Sequence, residues 1–203
     1  MRVGVIGGTF DPIHTGHLII AEGARDALDL QRVIFVPAGQ PPHKRSSRIS
    51  PAEHRLEMVR LAIAGNGYFT ASRVDIDREG PSYTVDTIRL LHDAWGADVR
   101  IYFLIGGDSL AELPTWYQPE RLLEICQVVV VPRPGYELDL ESLDVKIPGA
   151  AERIQMLSMP LVDLSATEIR DRIRDRRSIR YLVPDAVERY IYRHRLYRER
   201  TAG

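Results

Sequence analysis

Residues 2–17, RVGVIGGTFDPIHTGH, decide how this chain begins to fold. A short β-rich run, Arg2 to Ile6, meets Gly7 and Gly8, and an apolar-periodic segment, Leu18 to Leu28, starts directly after His17. The reading is a strand, a glycine turn and a helix start. Glycine lets a backbone approach a ligand because no Cβ intervenes. A helix N-terminus presents unpaired N–H groups and a positive dipole end, which together suit phosphate. His14 and His17 share a face if both lie at the helix opening, and their rings can donate to charge that shifts during a reaction. The stretch is not the dinucleotide fingerprint, since Gly-x-Gly-x-x-Gly is absent, nor a Walker A loop, since no Gly-Lys-Ser/Thr follows. A zinc site on the two histidines lacks a third ligand at suitable spacing.

Outward from this stretch, strand-like and helix-like signals alternate. Arg32 to Val36, Phe69 to Val74, Arg100 to Ile105 and Gln127 to Val131 read as strands, and Ile154 to Leu157 as one more. The runs at 100–105 and 127–131 are apolar almost throughout, as expected of a parallel sheet covered on both faces. Helical spacing recurs in Ile20, Ala24, Ala27 and Leu28, in Leu56, Val59 and Ile63, and in Val85, Ile88 and Leu91. Ser50 is read as the cap of the second helix with Glu53 as its box partner, and Ser82 as the cap of the third. Residues 132–148 read as a loop. Two helices finish the chain, the first opened by the capping box Ser165…Glu168. The expectation is an α/β fold: a doubly wound, mostly parallel, Rossmann-like sheet with right-handed crossovers. A single domain, 1–203, is expected, with 163–203 as a small C-terminal helical part closing the ligand site.

Composition narrows the function. The chain has 203 residues and a hydrophobic share of 44%, enough for a full core. Lys+Arg at 27 against Asp+Glu at 28 leaves a net charge of −1, which argues against a nucleic-acid or membrane-surface binder. No run approaches the roughly 20 apolar residues of a membrane span, and no signal peptide is visible. The lone Cys126 fits a reducing compartment and reads as a small buried hydrophobe. Together these point to the cytoplasm.

Further motifs follow the strands, where open α/β sheets bind ligands. PAGQPPHKRSSR brings His43, Lys44 and Arg45 into one cationic loop, suited to phosphates or simply solvated. REGPSYTVDT places Tyr83, Thr84 and Asp86 at a helix start. IGGDSL sets Gly106 and Gly107 before Asp108, which would accept from a ribose hydroxyl or cap the next helix. Trp116 and Tyr117 suit stacking on a flat ring, or one of them serves the core. Ser165, Thr167 and Arg170 at a helix start form a second anion site. Two such sites suggest a polyphosphate. The remaining charges of Arg170 to Arg180 read as a solvated face. No nucleophilic serine, catalytic cysteine or carboxylate pair stands out, so the site is built to hold phosphates without a covalent intermediate.

The ordered set GGTFDPIHTGH, PPHK, GPSYTVDT, IGGDSL, Trp116-Tyr117, RPG (133–135) and SATEIR…SIRYLVP…YIYRHRLY resembles the nucleotidyltransferase superfamily with its His-x-Gly-His signature. Within it, the set is most similar to the bacterial nicotinate-nucleotide adenylyltransferases. Ala166 stands where that family usually has a second serine. The resemblance implies adenylyl transfer from ATP to nicotinate mononucleotide in NAD biosynthesis, giving deamido-NAD and pyrophosphate. It implies a catalytic set of His14, His17 and Lys44. ATP would meet Gly7, Gly8, Thr9, Phe10, His14, His17, Lys44, Gly106, Asp108, Ser165, Thr167 and Arg170. The mononucleotide would meet Thr9, Phe10, Lys44, Thr84, Asp108, Trp116, Tyr117 and Arg133. Mg²⁺ would arrive with ATP, with no resident metal. Nicotinamide mononucleotide or phosphopantetheine as acceptor, and a non-catalytic nucleotide-binding regulator, are the alternatives; self-association is left open.

Overall fold

The computed structural model describes residues 1–42, 49–96, 98–132, 139–160 and 162–198. The first-strand reading extends two residues: β1 is Arg2–Gly8, so both glycines lie in the strand rather than in a turn. The first helix, α1 (Thr15–Ala27), begins earlier than its apolar stripe suggests. The chain continues through β2 (Arg32–Pro37), α2 (Ala52–Ile63), β3 (Phe69–Ala71), α3 (Thr84–Trp95), β4 (Arg100–Gly106) and α4 (Gly107–Glu112). It then passes through α5 (Pro119–Ile125), β5 (Gln127–Val131), α6 (Leu140–Lys146), α7 (Ala150–Arg153) and β6 (Ile154–Met156). Helices α8 (Ala166–Arg174) and α9 (Asp185–Arg193) close the described chain.

The six strands form one parallel sheet in the order β3-β2-β1-β4-β5-β6. This is the doubly wound order, with its switch point between β1 and β4. Pleat alternation sends successive residues of a strand to opposite layers. Val128 and Val130 join the layer of α3 to α7, with Ile88 and Leu122. Val129 and Val131 join the layer of α1, α2, α8 and α9, with Ala24, Val59, Ile169 and Ile191. The continuous valine run is thus explained by burial on both faces. The last two helices pack in the same layer as α1, which brings the chain's C-terminal part beside its N-terminal motif.

Five local expectations are corrected. Ser50 makes no cap; α2 starts after Pro51 with no side-chain cap, and Glu53 pairs with Arg73 at 2.9 Å. Ser82 makes no cap either, because its hydroxyl accepts from Gln40 N at 3.1 Å. Both hydroxyl residues were spent on tertiary ties that no local pattern announces. Strand β3 is shorter than its β-rich run, ending at Ala71. The stretch read as loop, 132–148, contains α6, which Asp139 caps by accepting from Ser142 N at 2.8 Å. At α8 only half of the expected box forms: Ser165 Oγ accepts from Glu168 N, while the Glu168 carboxylate turns to Arg172.

Candidate active site

The site lies beyond the C-terminal ends of β1 and β4, at the switch point. Residue His14 is the N-cap of α1 and His17 its third residue. Their rings stack with centroids 3.7 Å apart. His14 N donates to His17 Nδ1 at 3.2 Å. A backbone N–H can only donate to a ring nitrogen that carries a lone pair, so this bond favours the His17 tautomer with its proton on Nε2. Gly16 makes the stack feasible: a Cβ there would stand 3.1 Å from His14 Nδ1 and 3.7 Å from Leu164 Cβ. A side chain at the glycine of the His-x-Gly-His pattern would thus press on the His14 imidazole, while the segment leading into α8 would be in ordinary contact with it.

That segment forms the far wall of an open cleft of about 420 Å³, its mouth included. Residues His14, Gly16, His17 and Ile20 line one side, and Val131, Pro160, Val162 and Leu164 the other. One wall is polar and the other apolar, the division a ligand with a charged chain and a flat base would use. The opening of α1 offers fewer amides than a bare helix start. Thr15 N is engaged by Leu182 O at 2.9 Å and His17 N by His14 O at 3.0 Å. The imidazoles carry more of the polar character than the sequence reading assigned them.

The floor residues behave differently from one another. Gly7 is exposed and Gly8 half-exposed at the strand end; a Cβ on Gly8 would lie 3.3 Å from the Phe10 ring. Phe10 is buried, its ring 5.0 Å from that of His17 and 6.0 Å from Phe35. Its φ of 49° is left-handed, a costly conformation for a bulky residue. Its ring serves the core, so only its backbone can meet a ligand. Thr9, beside it, is half-buried.

At α8, Arg170 donates to Asp11 O at 2.7 Å and to Thr167 Oγ1 at 3.1 Å. Ser165, Thr167 and Arg170 thus adjoin the cleft through Leu164 without lining it. Most of the remaining charges between 171 and 180 pair on the surface, as Arg174 does with Asp171.

The aromatic residues gather on the other face of the sheet. Trp116 packs edge-on against Phe103 at 6.2 Å, and its Nε1 is buried without a hydrogen-bond partner among the described residues. Tyr117 is 49% exposed and lies 4.5 Å from Tyr83, next to Thr84 at the first turn of α3. A Cβ on Gly7 would lie 3.4 Å from Phe103, which links the strand end to this group. Asp108 sits in the first turn of α4, and a Cβ on Gly106 would be 2.6 Å from its Oδ1. A side chain at 106 would make that carboxylate turn away. Thr84, Asp108, Trp116 and Tyr117 do not line the cleft at the histidines. The loop under them is clamped: Asp75 Oδ1 accepts from Arg78 and Thr87, each at 2.8 Å. Burial pushes the Asp75 carboxyl up, against the lowering effect of those bonds. A Cβ on Gly39 would lie 2.1 Å from Asp75 O, so only glycine fits there. Lys44 and Arg133 lie outside the described residues.

Sequence reading missed the apolar wall, Val131, Pro160, Val162 and Leu164. It also passed over a buried polar set beneath the floor, Asp11, Arg55 and Tyr197. A signal for the set exists in retrospect, because Asp11 and Tyr197 fall within quoted motifs.

Sheet order, switch-point cleft and imidazole pair define a Rossmann-like α/β protein that handles nucleotides. A family model described as cytidylyltransferase-like matches residues 5–172, and the chain belongs to that family. A protein of Thermomicrobium roseum named "probable nicotinate-nucleotide adenylyltransferase" is 49% identical over 97% of this chain and 92% of its own. A Moorella thermoacetica protein of the same name is 46% identical, over 100% and 94%. A Plasmodium falciparum nicotinic acid mononucleotide adenylyltransferase complexed with NaAD superposes with TM-score 0.78 at 18% identity, covering 97% of each chain. The last comparison speaks to the fold.

Proposed function

We propose that this protein transfers the adenylyl group of ATP to nicotinate mononucleotide, giving deamido-NAD and pyrophosphate, in NAD biosynthesis. The observation that carries the reading is the stacked His14–His17 pair, joined by the His14 N to His17 Nδ1 bond, at the cleft on the switch point. The names of relatives up to 49% identical over nearly the whole chain support the particular acceptor.

A phosphate oxygen of the mononucleotide attacks the α-phosphorus of ATP in line. A new P–O bond forms, the bond from the α-phosphorus to the bridging oxygen breaks, and pyrophosphate leaves with that electron pair. No proton has to move. Charge builds on the bridging and equatorial oxygens, and donors already in place are worth most there. The Nε2–H of His17 and the His14 ring supply them. Arg170, with the start of α8, holds the β- and γ-phosphates, and the apolar wall takes the adenine. Gly7 to Phe10 form the floor, through backbone only at Phe10. Asp108 accepts from a ribose hydroxyl, and Thr84, Trp116 and Tyr117 take the pyridine ring. Lys44 and Arg133 have phosphate roles on the strength of the motif resemblance. Among the described residues no group of three or more His, Cys, Asp or Glu could hold a metal, so Mg²⁺ would be held by phosphate and water oxygens. Its contribution when bound is to neutralise charge on the leaving pyrophosphate. No helix among the described residues is long and apolar enough to cross a membrane, and a cytoplasmic enzyme fits the single cysteine.

The test is pyrophosphate release from ATP with nicotinate mononucleotide, nicotinamide mononucleotide and phosphopantetheine side by side. Fastest release with the first is expected. Preference for either of the others moves the acceptor assignment, and ATP binding without release with any of them indicates a regulator.

A further inference from the structure

The loop that presents the histidines is held from the far end of the chain. Asp11 is 4% exposed and has partners at three of its oxygens. Oδ1 accepts from the Tyr197 hydroxyl at 2.7 Å, Oδ2 from Ser50 N at 3.1 Å, and the carbonyl from Arg170 at 2.7 Å. Arg55 lies alongside, 1% exposed. Among the described residues its guanidinium donates to three carbonyls: Thr9 at 2.8 Å, Ser50 at 2.9 Å and Gly39 at 3.3 Å. Thus the Thr9–Pro12 loop is tied to both feet of the β2–α2 connection, to α8 and to Tyr197. Burial draws the Arg55 pKa down, and attraction to Asp11 opposes this. A buried charge in such a place persists only when it is paired and its hydrogen bonds are satisfied.

Tyr197 stands four residues beyond the end of α9, at the close of the YIYRHRLY motif. Its ring packs on the layer of α1, α2 and α9, with Met58 Sδ 3.9 Å from the hydroxyl. Burial, and then the neighbouring Asp11, push its ionisation far above the ordinary range, so the hydroxyl remains a donor. Nothing in the phosphate chemistry itself uses this group.

We propose that Tyr197 is a positioning residue: acting through Asp11, it sets the placement of the loop that presents His14 and His17 and registers that loop against Arg170. The proposal rests on the adenylyl-transfer reading for its kinetic readout. Without the hydroxyl, Asp11 Oδ1 is left buried and short of a donor, a state that is expensive and drives local rearrangement. Loop displacement of an ångström near reacting groups costs up to about a hundredfold in rate.

The variant Tyr197→Phe keeps the ring and removes the hydroxyl, with its bonds to Asp11 and to the Ser50 side chain. Its kcat for pyrophosphate release should fall about tenfold at a temperature well below its melting point, by the same geometric argument. KM for both substrates should stay within about twofold, the signature of a lost transition-state alignment. Ile191→Val, in the same core on α9, trims one buried methylene, lowers the melting temperature and should leave kcat unchanged. In an Asp11→Ala background Tyr197→Phe should cost less than about twofold further, since coupled residues are not additive. The ring resonances of His14 and His17 should shift in Tyr197→Phe, a readout that needs no turnover. Wild-type kcat in Tyr197→Phe, a matching loss in Ile191→Val, or unmoved imidazole resonances would each overturn the proposal. Should the wild type release no pyrophosphate with any acceptor, the adenylyl reading fails, and the resonances alone decide the anchor.

Discussion

The two sides of the candidate site are built on different plans. On the α1/α8 side, His14 and His17 are locked to one another, and Arg170 to the Asp11 backbone carbonyl and the Thr167 hydroxyl. On the α3 side, Tyr83, Trp116 and Tyr117 meet mainly through ring contacts, and the Trp116 indole N–H has no partner among the described residues. The difference follows the chemistry proposed for each. Stabilising moving charge needs donors fixed in advance, because reorienting them costs as much as they return. Holding an aromatic ring needs area and loose complementarity, which exposed aromatic side chains supply.

The contrast can be broken at three places. His17→Ala removes a locked donor and should lower kcat by about 10²–10³-fold in a folded protein, as loss of one such donor does elsewhere. Circular dichroism would confirm folding, and near-normal turnover would remove His17 from the charge-stabilising role. Trp116→Ala, on the adaptable side, should raise KM for the mononucleotide about tenfold, a loss of uniform binding. Steady-state kinetics with each substrate varied would check it; an equal rise for ATP would merge the two sides into one. Tyr117→Phe should do least. Its hydroxyl meets the Gln118 side chain at the surface, so stability should change by less than about 0.5 kcal/mol. A thermal melt shows this directly, and a large loss would mean that the aromatic side is as interlocked as the other.

Legibility divided along the same line. The Val128–Val131 run announced a two-sided parallel sheet, and the observed strand order agrees with it. The histidine spacing announced a shared face, and the rings do stack. Local pattern failed where a residue's partner lies far along the chain. Ser50 and Ser82 looked like caps but satisfy loops across the fold. Gly16, Gly39 and Gly106 looked like ligand clearance or went unremarked. Each also lies against a neighbouring protein atom: His14 Nδ1, Asp75 O or Asp108 Oδ1. The apolar wall at Pro160, Val162 and Leu164 gave no signal because its meaning depends on α8 folding back onto α1. Arg55 was invisible for a similar reason: an arginine in an amphipathic helix reads as surface, and only tertiary structure turns it inward.

Phe10, buried and left-handed, has a consequence for how the site responds to its surroundings. A residue whose ring belongs to the interior can offer a nucleotide nothing but peptide groups, and peptide groups do not ionise. That part of the surface under the phosphates is therefore indifferent to acidity. Whatever dependence on proton concentration the enzyme displays must originate in the side chains standing around it and in the substrates themselves.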